Sequence, residues 1–232
     1  MLGHLRCHGA ESRDSHPRIG PAPVVRRARR GDGTGRGPAA GTNRLLAVIR
    51  TGAQSVLAGH SGSCLVARRV ALDHPERVAG LVLEASLTSL TTNAALHEFV
   101  NSVVPSLDDP IELEFARSFV TGTSSANVTP ELVEVLAEDV LEVPARVWRA
   151  MFSRLLEYDD TAELPNIHAP TLLIWGDADP IVSREMQNLL AGRIPSSELI
   201  VYPAAGHAPR LEDPGRFSTD LATFVERPRT KA

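Results

Sequence analysis

The chain of 232 residues is 43% hydrophobic and 22% charged, with a formal net charge of −4 at pH 7. This length and composition predict one domain with a single substantial core. They exclude a membrane span, since no apolar run approaches the roughly 18 residues that one needs. The two cysteines exclude a disulfide framework and a cysteine-rich metal cluster. The first residues lack the apolar core of a signal peptide, so we expect a cytoplasmic protein.

Residues 1–43 differ in composition from the rest of the chain. They hold eight arginines against three acidic residues, whereas residues 44–232 carry a net charge of about −9. The stretch is rich in arginine and glycine and has no apolar periodicity, so we predict that it is largely disordered and that the folded domain occupies residues 44–232. Because it holds no aromatic residue and the remainder is acidic, we expect neither nucleic acid nor a membrane as a partner.

A strand-to-helix turn is predicted where the apolar run Val56–Ala58 ends in Gly-His-Ser-Gly-Ser and helix-forming sequence follows at once. Ser61 would lie on this tight turn with its hydroxyl above the edge of a sheet. Gly59 and Ser63 are small, as the close approach of strand and helix backbones requires. A Gly-x-Ser-x-Gly-like pattern arises often by chance, and its last position is serine here. Its significance therefore depends on the rest of the chain.

A long helical segment is predicted in the middle of the chain. About 85 residues separate an apolar strand that ends near Glu84 from the next strand, near Thr171. Thr129-Pro130-Glu131 is typical of a helix start, with an N-cap, a proline and an acid in the first turn. Apolar residues spaced four apart after Pro144 predict another helix. This segment is too long for a simple crossover between two strands.

Two further strands each end in a loop with an ionisable side chain. The strand Thr171–Trp175 leads into Gly-Asp-Ala-Asp, which ends at Asp179, and the strand Glu198–Tyr202 leads into a loop that carries His207. The carboxyl ends of parallel strands share one edge of a sheet. Ser61, Asp179 and His207 can therefore meet at that edge although they are far apart in sequence.

These motifs, in this order, resemble the α/β-hydrolase superfamily, and the resemblance extends from about Leu45 to Val225. It includes Asp-His-Pro-Glu-Arg-Val before the second apolar strand, Leu-Pro-Asn-Ile-His-Ala-Pro-Thr before the acid-bearing strand, and Gly-His followed by Glu-Asp-Pro. The resemblance implies an α/β fold with a mostly parallel central sheet flanked by helices, and a helical cap inserted at about residues 87–163. Four aromatic residues of this segment would either form an apolar pocket wall or pack the cap against the core: Phe115, Phe119, Trp148 and Phe152.

The resemblance also implies a catalytic role for each residue of the predicted site. Ser61 would be the nucleophile, His207 the base that takes its proton, and Asp179 the acid that orients the imidazole. The backbone N–H of Gly62, directly after the nucleophile, would supply one donor of the oxyanion hole. Such a site needs no metal and no organic cofactor. Its expected partner is a small-molecule substrate, and the oligomeric state is left open.

Three neighbouring residues compete for roles in this site. Asp177 is two residues from Asp179, but the second aspartate is the acid in the family pattern Gly-Asp-x-Asp, and Asp177 would instead bind nearby backbone amides as a turn residue. His60 adjoins Ser61 in sequence but points away from it in such a turn, so a packing or hydrogen-bonding role is expected. Cys64 is expected to be a small packing residue of the following helix.

The fragment Leu5–Ser12 resembles the family loop Arg-Gly-x-Gly-x-Ser, with Cys7 in place of the first glycine. This alignment implies an N-terminus that is truncated or altered in frame, without the strands that precede the loop and without the His-Gly loop that supplies the second oxyanion donor. Alternatively, His8 and Gly9 form that loop themselves. Loss of early strands would expose a sheet edge, and loss of one donor costs roughly 10²–10³ in turnover.

A serine nucleophile predicts cleavage of an ester-type bond, such as a carboxylic ester, thioester or lactone, through an acyl-enzyme. The aromatic residues of the helical segment favour a small, apolar substrate. Two alternatives stay open. The chain could be a truncated or non-catalytic relative that binds a ligand without turnover, or it could use the same three residues as a cofactor-free haloperoxidase or an acyltransferase.

Overall fold

In the computed structural model, the described residues are 47–51, 54–91, 93–124 and 128–227, the first stretch by its backbone alone. The predictions for residues 1–43 lie outside these ranges. They include the disordered segment, the missing strands and the loop around Cys7. Everything that follows concerns the described residues.

The described strands form a single sheet. They are β1 (Ala47–Thr51), β2 (Gln54–His60), β3 (Val78–Glu84), β4 (Thr171–Gly176) and β5 (Ser197–Tyr202). Their order in the sheet is their order in the chain, and β2 to β5 are parallel. The mostly parallel sheet predicted from sequence is confirmed. β1, which the sequence did not predict as a strand, pairs antiparallel with β2 and so covers one edge of it.

The α-helices of the described ranges are α1 (Ser63–Asp73), α2 (Ala94–Glu98), α3 (Leu113–Thr123), α4 (Pro130–Leu141), α5 (Ala145–Glu157), α6 (Arg184–Arg193), α7 (Pro209–Glu212) and α8 (Pro214–Glu226). Both predicted helix starts are confirmed. The Thr129 hydroxyl accepts a hydrogen bond from the Leu132 N–H at 3.3 Å as the N-cap of α4, and α5 begins directly after Pro144. Among the described helices, none has the length and apolar character needed to cross a membrane.

The sheet lies between two layers of helices. On one face, α1 and α6 contribute Ala67 and Leu190 to a core that includes Leu83 and Leu173 of the sheet. On the other face, Phe224 of α8 packs in a second core. β3 is buried along its whole length because helices cover both of its faces. This arrangement leaves the carboxyl ends of the strands as the edge available for a site.

The helices between β3 and β4 have an apolar core of their own. Trp148 and Phe152 of α5 are buried there, with ring centroids 5.6 Å apart, and Phe115 and Phe119 of α3 contact Trp148 edge-on at 5.3 and 4.8 Å. The four aromatic residues thus pack against one another inside the helical segment, whereas the sequence left open a pocket wall or packing of the cap against the core.

A buried ion pair connects α1 to the segment that precedes β4. Arg68 and Asp160 are 0% and 2% exposed, and two guanidinium nitrogens bind the two carboxylate oxygens at 2.8 Å each. The third guanidinium nitrogen donates to the Ser86 hydroxyl and the Leu87 carbonyl, both at 2.7 Å. Every nitrogen of the guanidinium therefore has an acceptor, which is the condition under which a buried charge is tolerated.

Arg68→Met is expected to lower the free energy of unfolding by about 3–5 kcal/mol, because it leaves the buried Asp160 carboxylate without a counter-charge. The matched control is Arg69→Met, at the next position. Arg69 pairs with Asp73 and Glu163 on the surface, where ion pairs contribute little, so this variant is expected to keep the wild-type stability. Urea unfolding of both variants checks the prediction, and equal losses would contradict it.

Candidate active site

The turn that carries Ser61 is short and strained. β2 ends at His60 and α1 begins at Ser63, so only Ser61 and Gly62 connect them. Ser61 has a φ of 52°, in the left-handed region that residues other than glycine rarely adopt. Its backbone N–H donates to the carbonyl of Glu84, at the end of β3, at 2.9 Å, and this bond holds the turn against the sheet. Strained backbone of this kind is concentrated at functional sites.

The residues on either side of Ser61 explain why the turn needs small side chains. A Cβ on Gly59 would lie 2.9 Å from the backbone of Ser63 and Cys64, so only glycine fits there. Ser63 is buried, and its hydroxyl accepts a hydrogen bond from the His60 N–H and donates one to the His60 carbonyl, both at 2.7 Å. The serine that stands in place of the last glycine of the pattern therefore adds hydrogen bonds to the turn.

Ser63→Ala is expected to lower the free energy of unfolding by about 1–2 kcal/mol, because it removes both bonds and leaves the His60 N–H without that acceptor. Ser218→Ala serves as the control, since the Ser218 hydroxyl is exposed and bonds only one carbonyl of its own helix, that of Pro214. The two variants are compared by urea unfolding. A Ser63 variant as stable as the Ser218 variant would show that these bonds contribute nothing net.

Asp179 and His207 meet at the carboxyl edge of the sheet. The Nδ1 atom of His207 lies 2.8 Å from Oδ2 of Asp179, and both side chains are buried, at 6% and 0% exposure. The other carboxylate oxygen of Asp179 accepts the backbone N–H groups of Ile181 and Val182, at 2.8 and 3.0 Å. An ionised carboxylate only accepts hydrogen bonds, so Nδ1 of His207 carries the proton. Its Nε2 is then free to accept a proton from a substrate or nucleophile.

Asp177 is occupied elsewhere. One of its carboxylate oxygens accepts the backbone N–H of Ala204 at 2.6 Å, on the loop that follows β5. It therefore binds a backbone amide, as the turn-residue alternative describes, although the amide belongs to another loop. Of the two aspartates that the sequence left in competition, Asp179 is the one that contacts the histidine.

The loops after β4 and β5 are packed backbone to backbone. A Cβ on Gly176 would overlap the carbonyl oxygens of Ala205 and Gly206, so glycine is required where the two loops cross. The Ala178 N–H donates to the Ala205 carbonyl at 2.9 Å, and the Gly206 N–H donates to the Glu212 carboxylate. These contacts fix the loop that carries Asp179 relative to the loop that carries His207.

Comparison with known proteins places this chain in a family. The model of the alpha/beta hydrolase family matches residues 5–220. The chain belongs to the alpha/beta hydrolase family. Among curated relatives, it is 29% identical over 186 residues to a pimeloyl-[acyl-carrier protein] methyl ester esterase of Yersinia enterocolitica, a match that covers 76% of this chain and 71% of that protein.

Solved structures agree with this assignment. A structure described as Est816, an N-acyl homoserine lactone degrading enzyme, is similar with a TM-score of 0.62 and 27% identity, and the match covers 74% of this chain and 68% of that one. A thermophilic esterase from Thermogutta terrifontis is similar with a TM-score of 0.62 and 26% identity, over 77% and 66% of the two chains. The chain is thus an enzyme of the hydrolase class.

In this hydrolase, Gly62 is the N-cap of α1, so its N–H lies at the positive end of that helix, which favours negative charge. His8 and Gly9, the alternative source of a second donor, lie outside the described residues. Within the described residues, Ser61 Oγ forms no hydrogen bond with the imidazole of His207. Such bonds are often long before a substrate binds.

Within the described ranges, no group of His, Cys, Asp and Glu side chains could hold a metal ion.

Cys64 is fully buried under the turn, in the core between α1 and the sheet. Burial raises the pKa of its thiol to about 12, so the thiolate does not form near neutral pH. Ser61 is thus the accessible candidate nucleophile on this turn.

The role expected of one residue near the site is confirmed, and another residue was not predicted from sequence. His60 was expected to pack or bond, and its Nε2 lies 2.7 Å from the carbonyl oxygen of His207. Glu84 was treated as the end of an apolar strand, yet its carboxylate is buried and binds Arg210, three residues after His207. The signal in the sequence is an acidic residue at the end of an otherwise apolar strand, where a carboxylate needs a partner.

Proposed function

We propose that this chain is a serine hydrolase that cleaves a carboxylic-ester-type bond through an acyl-enzyme. Ser61 attacks the carbonyl carbon while His207 takes its proton, and Asp179 holds the imidazole in the tautomer that accepts it. The Gly62 N–H stabilises the oxyanion that forms. His207 then returns the proton to the leaving alcohol. In the second half of the reaction, water attacks the acyl-enzyme while His207 takes its proton, and the proton passes to the Ser61 oxygen as the carboxylic acid leaves.

The observation that carries this proposal is the hydrogen bond between His207 Nδ1 and Asp179 Oδ2, formed at the sheet edge that also holds Ser61 at a φ of 52°. An acid and a base in contact, at the same sheet edge as a serine on a strained strand-to-helix turn, are the parts that acyl transfer needs. The positive end of α1 lies directly behind that serine.

The proposed substrate is an ester of a small, largely apolar acyl group. The named activity of the curated relatives supports the bond type, because a methyl ester is a carboxylic ester. We propose that the helical segment between β3 and β4 is a cap over the site. Where this segment meets the remainder of the chain, its Leu96 and Leu155 pack against Leu87 and Leu90, and the proposed apolar preference rests on such apolar side chains.

The test is covalent labelling with a fluorophosphonate probe, which reacts with a serine only when a base and an oxyanion hole activate it. Intact mass should show a single adduct, and fragmentation should place it on Ser61. A panel of p-nitrophenyl esters with acyl chains of increasing length then measures the substrate preference. Turnover should be highest for the shorter chains.

The result that would overturn the proposal is a folded protein that takes up no label and hydrolyses none of the esters. Such a protein would be a non-catalytic relative. Labelling of Ser61 with transfer of the acyl group to an added alcohol, faster than to water, would identify an acyltransferase that uses the same three residues.

A further inference from the structure

Glu84, in β3, connects two parts of the site. Its main chain contacts the turn of Ser61, and its side chain contacts the segment after His207. Glu84 ends the strand, opposite His60 in the register of β2 and β3. Its carbonyl oxygen accepts the Ser61 N–H at 2.9 Å. Its carboxylate accepts the backbone N–H of Arg210 at 2.8 Å and a guanidinium N–H of the same residue at 2.9 Å.

Burial makes this carboxylate costly. The Glu84 side chain is 3% exposed, and burial raises its pKa, whereas the hydrogen bonds and charge of Arg210 oppose that rise. A buried ion pair is weak evidence for stability, because apolar residues of the same size often do as well or better. What the pair adds is a fixed geometry, since a charged, hydrogen-bonded contact tolerates little displacement.

His60 makes a second link to the same segment. A carbonyl oxygen can only accept, so Nε2 of His60 carries the proton that bonds to His207 at 2.7 Å. Burial lowers the pKa of His60, and the charge of Arg210 lowers it further, so this histidine is neutral near pH 7. The two imidazole rings meet edge-on with centroids 4.8 Å apart. His207 is thus tied to β2 by its own carbonyl and to β3 through Arg210.

We propose that Glu84 is a positioning residue that sets the distance between Ser61 and His207. This inference rests on the proposed function, because it concerns the proton transfer between those two side chains. The nucleophile is bonded to the carbonyl of Glu84, and the segment of the base is bonded to its carboxylate. The segment cannot shift relative to the serine without breaking one of these bonds, and a misplacement of about 1 Å can cost 10²-fold in rate.

The test compares Glu84→Gln with Glu134→Gln. The first keeps the shape of the side chain and removes its charge, while the second removes the charge of an exposed carboxylate that pairs with Arg117 on the helical segment. With p-nitrophenyl butyrate, Glu84→Gln should lower kcat about 10²-fold, the effect of a misplaced reacting group, with KM unchanged. The rate of fluorophosphonate labelling should fall in parallel. Glu134→Gln should match the wild type in both measurements.

The double variant Glu84→Gln/Arg210→Gln separates positioning from stability. It removes the unpaired guanidinium that the single variant leaves in place, so its Tm should return toward that of the wild type while kcat stays low. If kcat recovers together with Tm, the pair has only a structural role and the proposal is wrong. Wild-type kcat in Glu84→Gln, or an effect on KM alone, also overturns it.

A spectroscopic measurement tests the role of Glu84 independently of ester hydrolysis. The His207 Nδ1 proton bonded to Asp179 should give a low-field imidazole N–H signal in proton NMR, whether or not the chain hydrolyses esters. We expect this signal to shift or broaden in Glu84→Gln and to be unchanged in Glu134→Gln. Absence of labelling in the wild type would reject the proposed function. An unchanged signal in Glu84→Gln would reject the role of Glu84.

Discussion

Ester hydrolysis should fall by about 10⁶ in kcat when Ser61 is replaced by alanine, the scale of loss when a catalytic serine is removed. The physical reason is that the variant lacks the nucleophilic hydroxyl. Cys64, the other nucleophilic side chain near this turn, is buried and protonated and cannot act as the nucleophile instead. Initial rates with p-nitrophenyl butyrate at high enzyme concentration, together with fluorophosphonate labelling, measure the residual activity.

Ser61→Gly is the matched variant, because it removes the same hydroxyl and also relieves the backbone strain at a φ of 52°. It should be as inactive as Ser61→Ala but more stable than it by about 1 kcal/mol, since alanine is strained at positive φ and glycine is not. Activity above a few per cent of the wild type in either variant would show that another residue is the nucleophile. Equal stability of the two variants would show that the turn relaxes when the serine is lost.

Asp179→Asn should lower kcat by about 10⁴-fold, because an amide in place of the carboxylate stabilises the wrong tautomer of the paired histidine. Its NH₂ group can donate to Nδ1 of His207, which would move the imidazole proton to Nε2, the atom that must accept the serine proton. KM should change little, since the Asp179 side chain is 0% exposed and is therefore out of reach of a bound substrate. Steady-state kinetics on the purified variant check both parts of the prediction.

Asp177→Asn is the control for this experiment, two residues away on the same loop. Asn at this position can still accept the Ala204 N–H through its side-chain oxygen, so we expect wild-type kinetics. A large loss in Asp177→Asn and none in Asp179→Asn would exchange the roles of the two aspartates. Similar losses in both would indicate that the loop, and not one carboxylate, is disturbed.

The elements that the sequence predicted well are those whose signal is local. The apolar strands that end at Glu84, Gly176 and Tyr202 each stop at a turn, and the helix that starts at Thr129 has its own cap. The order of the site residues also follows from local patterns at strand ends. Because the strands are parallel, placing the ends correctly was enough to bring Asp179 and His207 to one edge.

The parts that sequence missed depend on contacts between distant segments. Nothing near Glu84 indicates that its carboxylate meets Arg210, which lies 126 residues further along the chain. Arg68 is a charged residue of α1 and would be expected at the surface, yet it is 0% exposed. Its burial is tolerated because the Asp160 carboxylate, the Ser86 hydroxyl and the Leu87 carbonyl accept hydrogen bonds from its guanidinium. β1 is different, because Ala47, Val48 and Ile49 belong to an apolar run over residues 45–49, a local pattern that indicates a strand.

The separate core of the segment between β3 and β4 has a consequence for how such enzymes diversify. The rings of Trp148 and the phenylalanines around it pack against one another. The segment contacts the remainder of the chain through side chains such as Leu96, Leu155 and Tyr158. A segment organised in this way behaves as an exchangeable part. Replacing these helices with the equivalent helices of a related esterase should alter which acyl groups are accepted, while Ser61, Asp179 and His207 stay in place. Substrate preference and catalytic chemistry can therefore evolve at different rates.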